Sequence, residues 1–98
     1  MILSDLARVV RSKNAGPTLL TIDVMFATDA EYRRGQAALS AQVIATRYGR
    51  AVHEVSVMPV AAARAVKIVL PRSVPAGAPG DRDVYGAQQH APLLDVQV

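Results

Sequence analysis

The 98-residue chain contains no cysteine, no tryptophan and a single phenylalanine. Without cysteine there is no disulfide staple and no thiolate ligand for zinc or an iron–sulfur cluster, and the redox compartment is not written in the sequence. With aromatics at only 4%, the core has to be filled by Val, Leu, Ile, Ala and Met. Long apolar runs are missing too. None approaches the roughly 20 residues that span a bilayer, and Met1-Ile-Leu-Ser-Asp5 has neither the basic segment nor the apolar stretch of a signal peptide. The expectation is a cytoplasmic protein with no membrane partner.

Clusters of one charge sign are also missing. The net charge is +3, but the basic residues are scattered and no aromatic–basic interleaving marks a stacking platform, so nucleic acid is not an expected partner. Half the residues are apolar, enough for one core, and the length fits a single domain over residues 1–98.

Local patterns organise the chain. Leu6 to Val10 reads as an apolar strand running into Arg11-Ser-Lys-Asn-Ala-Gly-Pro17, whose Asn14, Gly16 and Pro17 signal a loop. Thr18 to Phe26 is the best strand, with Leu20, Ile22, Val24 and Phe26 on one face at period two. Asp23 lies on the other face beside Leu19 and Met25 and calls for a cationic partner. Thr28-Asp-Ala-Glu31 fits a capping box that opens helical sequence running to Tyr48, with Gly49 at the C-terminal cap. Gly35 interrupts it at a cost of about 1 kcal/mol, and Ser40 can cap a second helix, so either one helix or two short ones occupy 29–48. Leu39, Val43 and Ile44 form the stripe to be buried. Val52 to Met58, Ala63 to Leu70 and Leu93 to Val98 alternate as strands, and Pro59 closes the first or marks it as an edge. The fold class is α+β, a mainly antiparallel sheet with one or two helices on one face, as in ferredoxin-like variants.

Two polar segments carry the candidate chemistry. In the first, Arg11, Ser12, Lys13 and Asn14 place two cations, a hydroxyl and an amide before a glycine, the makings of an anion-binding nest or of a plain solvated turn. The second follows the Pro/Gly-rich run Pro71–Pro79 and holds Asp83, Tyr85, Gln88, Gln89 and His90 before the apolar anchor Leu93-Leu94. A stretch of about twenty residues without helical or strand period is uncommon unless it is functional or disordered. The aromatic and the anchor favour an ordered site. Asp81, Asp83, His90 and Asp95 match no strong metal-ligand spacing, and Gly80-Asp-Arg-Asp83 also reads as a turn with local Asp–Arg pairing. No nucleophile–base pair is legible, so no catalytic residue, metal or cofactor is assigned. Because loops gather at the ends of a sheet, the two polar segments are expected to meet.

Together, Leu3-Ser-Asp-Leu-Ala7, Arg11–Pro17, Ile22-Asp-Val-Met-Phe26 and Asp83-Val-Tyr-Gly-Ala-Gln-Gln-His-Ala-Pro-Leu-Leu94 resemble an uncharacterised small-protein family, a domain of unknown function. Its members are often encoded beside proteins similar to the acyclic terpene utilisation protein AtuA. The pattern of Leu-x-Asp-Leu-Ala, Arg-Ser, a glycine-containing loop and a closing Leu-Leu-Asp strand is also similar to the small, ferredoxin-like C-terminal domain of AtuA-like proteins. The chain departs from that domain in carrying Lys13-Asn-Ala-Gly16 where it has a Gly-Asp-Lys-Gly-type loop. The resemblance implies a partner more than a reaction: a small accessory subunit, docked on an AtuA-like large subunit, that completes a site for a carboxylate or acyl substrate in catabolism. The partner is then an AtuA-like large subunit or a second copy, with an anionic small molecule as ligand. A stand-alone lyase or isomerase working at a homo-oligomer interface is the alternative.

Overall fold

The computed structural model describes residues 1–72, 76–81, 83, 85–86 and 89–98. Strands β1 (Val9–Asn14), β2 (Leu19–Met25), β3 (Ser56–Val60) and β4 (Ala65–Pro71) form one antiparallel sheet in the order β1-β2-β4-β3. Helices α1 (Leu3–Leu6), α2 (Asp29–Ala38) and α3 (Ala41–Tyr48) accompany it. The class is α+β, as the sequence indicates. Two hairpins are joined by the α2–α3 pair, a variant on the ferredoxin-like layering in which the helices follow one another.

Alternation explains the layering. Leu20, Ile22, Val24 and Phe26 meet Val66, Ile68 and Leu70 on one face, and all are buried together with Leu3, Leu6, Tyr32, Leu39, Ile44, Leu93 and Val96. The core lies between this face and the helices. Asp23, on the opposite face, pairs with Arg11 across the β1–β2 ladder at 3.6 Å and stands in register with Lys67.

Two helices, not one, occupy 29–48. Thr28 Oγ1 accepts from the Glu31 N–H at 3.2 Å and opens α2; Ser40 Oγ accepts from the Val43 N–H at 3.2 Å and opens α3, which ends on Gly49 at φ +63°. Gly35 also finds its reason. A Cβ there would run into Cζ and Cε1 of Phe26 and come within 3.0 Å of Cε2. The bare backbone lets α2 sit directly on that ring, which also meets Tyr32 edge-on at a centroid distance of 6.3 Å. Gly35→Ala therefore costs about 1–3 kcal/mol from overpacking, less up to about 1 kcal/mol regained in helix propensity. Urea unfolding reads the net loss; a stabilised variant would mean that the ring yields freely.

Four elements differ from the sequence reading. Leu6, expected in the first strand, closes helix α1, and the strand starts only at Val9. Arg11 to Asn14 belong to β1, and the turn is confined to the residues around Gly16, φ +91°. Pairing with β2 outweighs the weak strand preference of Ser, Lys and Asn. Val52–Glu54 forms a single 3₁₀ turn, with the Glu54 carboxylate accepting from the Ala51 N–H at 3.0 Å, so the strand starts only at Ser56; Pro59 sits on an edge strand, where a missing donor is tolerated. The C-terminal segment is not a strand of the sheet. Ala91–Leu93 is a 3₁₀ turn, and the last residues pair with the N-terminal segment through the Ile2–Gln97 bridge and the Leu3 N–H to Val96 carbonyl bond of 2.8 Å.

Candidate functional site

Strand alternation decides which side chains of β1 meet the 83–93 segment. Ser12 and Asn14 share a face with the core, opposite Ile22 and Leu20 of β2; Arg11 and Lys13 point to the other face and are exposed. The segment's described residues, 83, 85–86 and 89–93, form a strap that is fastened to the free edge of β1. At its start, the Asn14 N–H donates to the Tyr85 carbonyl at 3.1 Å. The Ser12 hydroxyl donates to the Gly86 carbonyl and accepts from the Gln89 N–H at 3.0 Å, with His90 Nδ1 at 3.5 Å. From α3, the Tyr48 hydroxyl donates to the Gln89 carbonyl at 2.6 Å, and burial pushes that phenol well above its ordinary value of 10.0. Gln89 Nε2 donates to Asp83 Oδ2 at 3.1 Å, and buried Leu93 closes the strap.

Arg72 is the hub beneath the start of the strap. Its guanidinium donates to Asn14 Oδ1, to Asp81 Oδ1 at 2.7 Å and to the Asp83 carbonyl at 2.7 Å, while its own N–H bonds the Thr18 carbonyl at 2.9 Å. Asp81 further accepts from the N–H groups of Gly77 at 2.8 Å and Asp83 at 2.9 Å. Both side chains of the Arg72–Asp81 pair are only 3% exposed. The backbone donors of Gly77 and Asp83, followed by the Arg72 charge, hold the Asp81 carboxyl below its ordinary 3.8 despite the opposing effect of desolvation.

The two polar segments thus meet, but not as one constellation. Ser12, Asn14, Asp83, Gln89 and His90 come together, whereas Arg11 and Lys13 lie on the opposite side of the sheet. Gln88 is outside the described residues, and so is Arg82 of the expected local Asp–Arg turn. Asp81 pairs instead with Arg72, nine positions earlier, and Asp95 pairs with Arg47 on α3. Among the described residues no group of three or more His, Asp or Glu side chains converges to hold a metal ion, and no helix is long and apolar enough to cross a membrane.

Chemically, the cluster fastens more than it reacts. A hydroxyl has one proton, and that of Ser12 is directed to the Gly86 carbonyl, so His90 at 3.5 Å is not placed to take it from a nucleophile. Tyr85 is different. Its backbone is anchored on β1, while its side chain stands 82% exposed. Arg72, and with it the Arg72–Asp81 pair that sets this geometry, escaped the sequence reading because Arg72 sits inside a Pro/Gly-rich run; the signal was a lone arginine directly after a strand with carboxylates some nine residues on.

A family model described as a domain of unknown function, DUF4387, matches residues 3–97. The chain belongs to this uncharacterised family. The matched span takes in β1, Arg72 and the whole strap, so the site and its anchors fall inside one family unit. No curated protein and no solved structure matches the chain.

Proposed function

We propose that the chain is a small accessory subunit whose strap docks on a larger, AtuA-like protein in the cytoplasm and completes a site for a carboxylate or acyl substrate there. The observation that carries this reading is Tyr85, a large amphipathic ring 82% exposed on a backbone tied to β1. Aromatic anchors on ordered mounts dominate interface energetics, because little side-chain entropy is lost when they are buried. The direction of the Ser12 proton supports an accessory role over an independent hydrolytic one. Gln89 and His90, half-buried beside Tyr85, offer amide and imidazole groups at the rim, suited to orienting a carboxylate or acyl oxygen once a partner closes over them. The choice of an AtuA-like partner rests on the sequence resemblance and on the proteins that members of the resembled family are often encoded beside.

Co-expression with an AtuA-like large subunit tests the reading. A tagged chain captures that protein, and Tyr85→Ala reduces capture at least about tenfold, as loss of an aromatic hot spot does, with an unchanged melting temperature. Absence of capture by the unsubstituted chain overturns the proposal, and so does undiminished capture by a folded Tyr85→Ala variant.

A further inference from the structure

The helices cover one face of the sheet; among the described residues no element packs on the other. Of the seven large apolar side chains that stand exposed among the described residues, four, Val9, Leu19, Met58 and Val60, lie there. The register arranges this face in rows across β1, β2, β4 and β3. Val9, Met25, Ala65 and Val60 form an apolar row; Arg11, Asp23, Lys67 and Met58 form a charged one; Lys13, Thr21, Val69 and Ser56 form a third, with Leu19 and Pro71 beyond. Scattered apolar residues on a surface are ordinary, but a contiguous set on one sheet face marks an interface.

We infer that this open face binds a second copy of the same chain, through a two-fold axis parallel to the strands and midway between β2 and β4. Such an axis lays each row over itself in reverse. The apolar row then meets its own mirror order, Val9 over Val60 and Met25 over Ala65. In the charged row Asp23 meets Lys67 of the second copy and Lys67 meets its Asp23, closing a square of alternating charge on the axis. Arg11 falls over Met58 and Lys13 over Ser56, so no like charges oppose. The other in-plane axis, across the strands at the charged row, sets Arg11, Asp23 and Lys67 each against itself and is excluded by repulsion. Four strands at about 4.8 Å spacing and about 3.4 Å per residue give a face of roughly 350–400 Å² in projection. The accessible area of such a corrugated face is larger, so two copies bury close to the ~1,000 Å² at which a specific interface begins. Two-fold, self-complementary contacts are the commonest kind, and aligned sheets pack at about −30°, which this axis allows. The strap lies along the β1 edge, away from this face, so the inference is independent of the accessory-subunit reading.

Sedimentation of the whole chain at micromolar concentrations tests it. The unsubstituted chain sediments at twice its 10.4 kDa mass. D23K and K67D each weaken association at least about tenfold. Mixing the two in equal amounts restores it, because each then offers the charge that the other lacks. M58K, on an edge strand at a residue 57% exposed, weakens association by opposing Arg11 of the second copy; it serves as the readout if either charge variant melts early. A monomer at every concentration overturns the inference. So do folded single variants that associate as the original does, or a mixture of folded variants that fails to recover.

Discussion

Replacing Arg72 with methionine is expected to lower the melting temperature by more than about 10 °C, the range seen when a buried charge is left without its partner. Methionine matches the volume but donates nothing. The Asp81 carboxylate then stays enclosed with only its backbone donors, and the Asp83 carbonyl and Asn14 Oδ1 lose the guanidinium that joins them. Arg72→Lys recovers little of this, because an ammonium keeps the charge without the planar fork that reaches three acceptors. The acid limb adds a second readout. A carboxyl held below its ordinary 3.8 contributes stability that is present above that value and is lost as pH falls through the lower folded-state value. The original chain therefore loses this contribution below about pH 4, and Asp81→Asn flattens that limb. Scanning calorimetry across pH 2–7 checks both; a drop under about 3 °C for Arg72→Met makes the residue a bystander.

Gly86→Ala is the second large effect. Gly86 holds φ +73°, and a Cβ there would lie 2.6 Å from Asn14 Oδ1, 3.0 Å from Asn14 N and 3.1 Å from the Lys13 carbonyl carbon. The left-handed backbone costs an alanine about 1–2 kcal/mol, and backbone atoms of β1 cannot swing aside as a flexible side chain does. Overpacking adds about 1–3 kcal/mol, for a loss of roughly 2–5 kcal/mol. Gly77→Ala is the control: its φ is +79°, but nothing lies within 4 Å of the added carbon, so only the backbone cost remains. Urea unfolding of the two variants separates conformation from contact. Equal losses would show that the strap does not lie against β1 at Gly86.

Much of the layering was legible because it depends on period and caps. Leu20 to Phe26 alternate, and Thr28, Ser40 and Gly49 bound two helices whose reading from spacing alone stayed open only because of Gly35. What settled Gly35 was a ring, Phe26, that reaches it through space and leaves no mark at helical spacing. The site was half legible. That the Arg11–Asn14 segment meets the strap, through Ser12 and Asn14, followed from polar segments at the ends of apolar strands. That Ser12 and Asn14 turn one way and Arg11 and Lys13 the other required knowing that the four are strand, and their turn-forming composition argued against it. Asp81 was expected beside Arg82 because sequence neighbours are the cheapest pairing to imagine; the fold instead brings Arg72 back across the loop. Burial of that pair is a property of the assembled domain, not of any window of sequence.

Amide hydrogen exchange at Asn14 and Gln89 tests the mounting of the strap most directly. The Asn14 N–H bonds the Tyr85 carbonyl and the Gln89 N–H bonds the Ser12 hydroxyl, so both report the docked segment itself. In the original chain these amides are protected nearly as well as those of Ile22 and Ile68 in the central strands. In Arg72→Met they exchange much faster, while Ile22 and Ile68 keep most of their protection. Exchange of Asn14 and Gln89 at the rate of an unstructured peptide in the original chain, with the central strands protected, would contradict a strap held in place by the chain's own anchors.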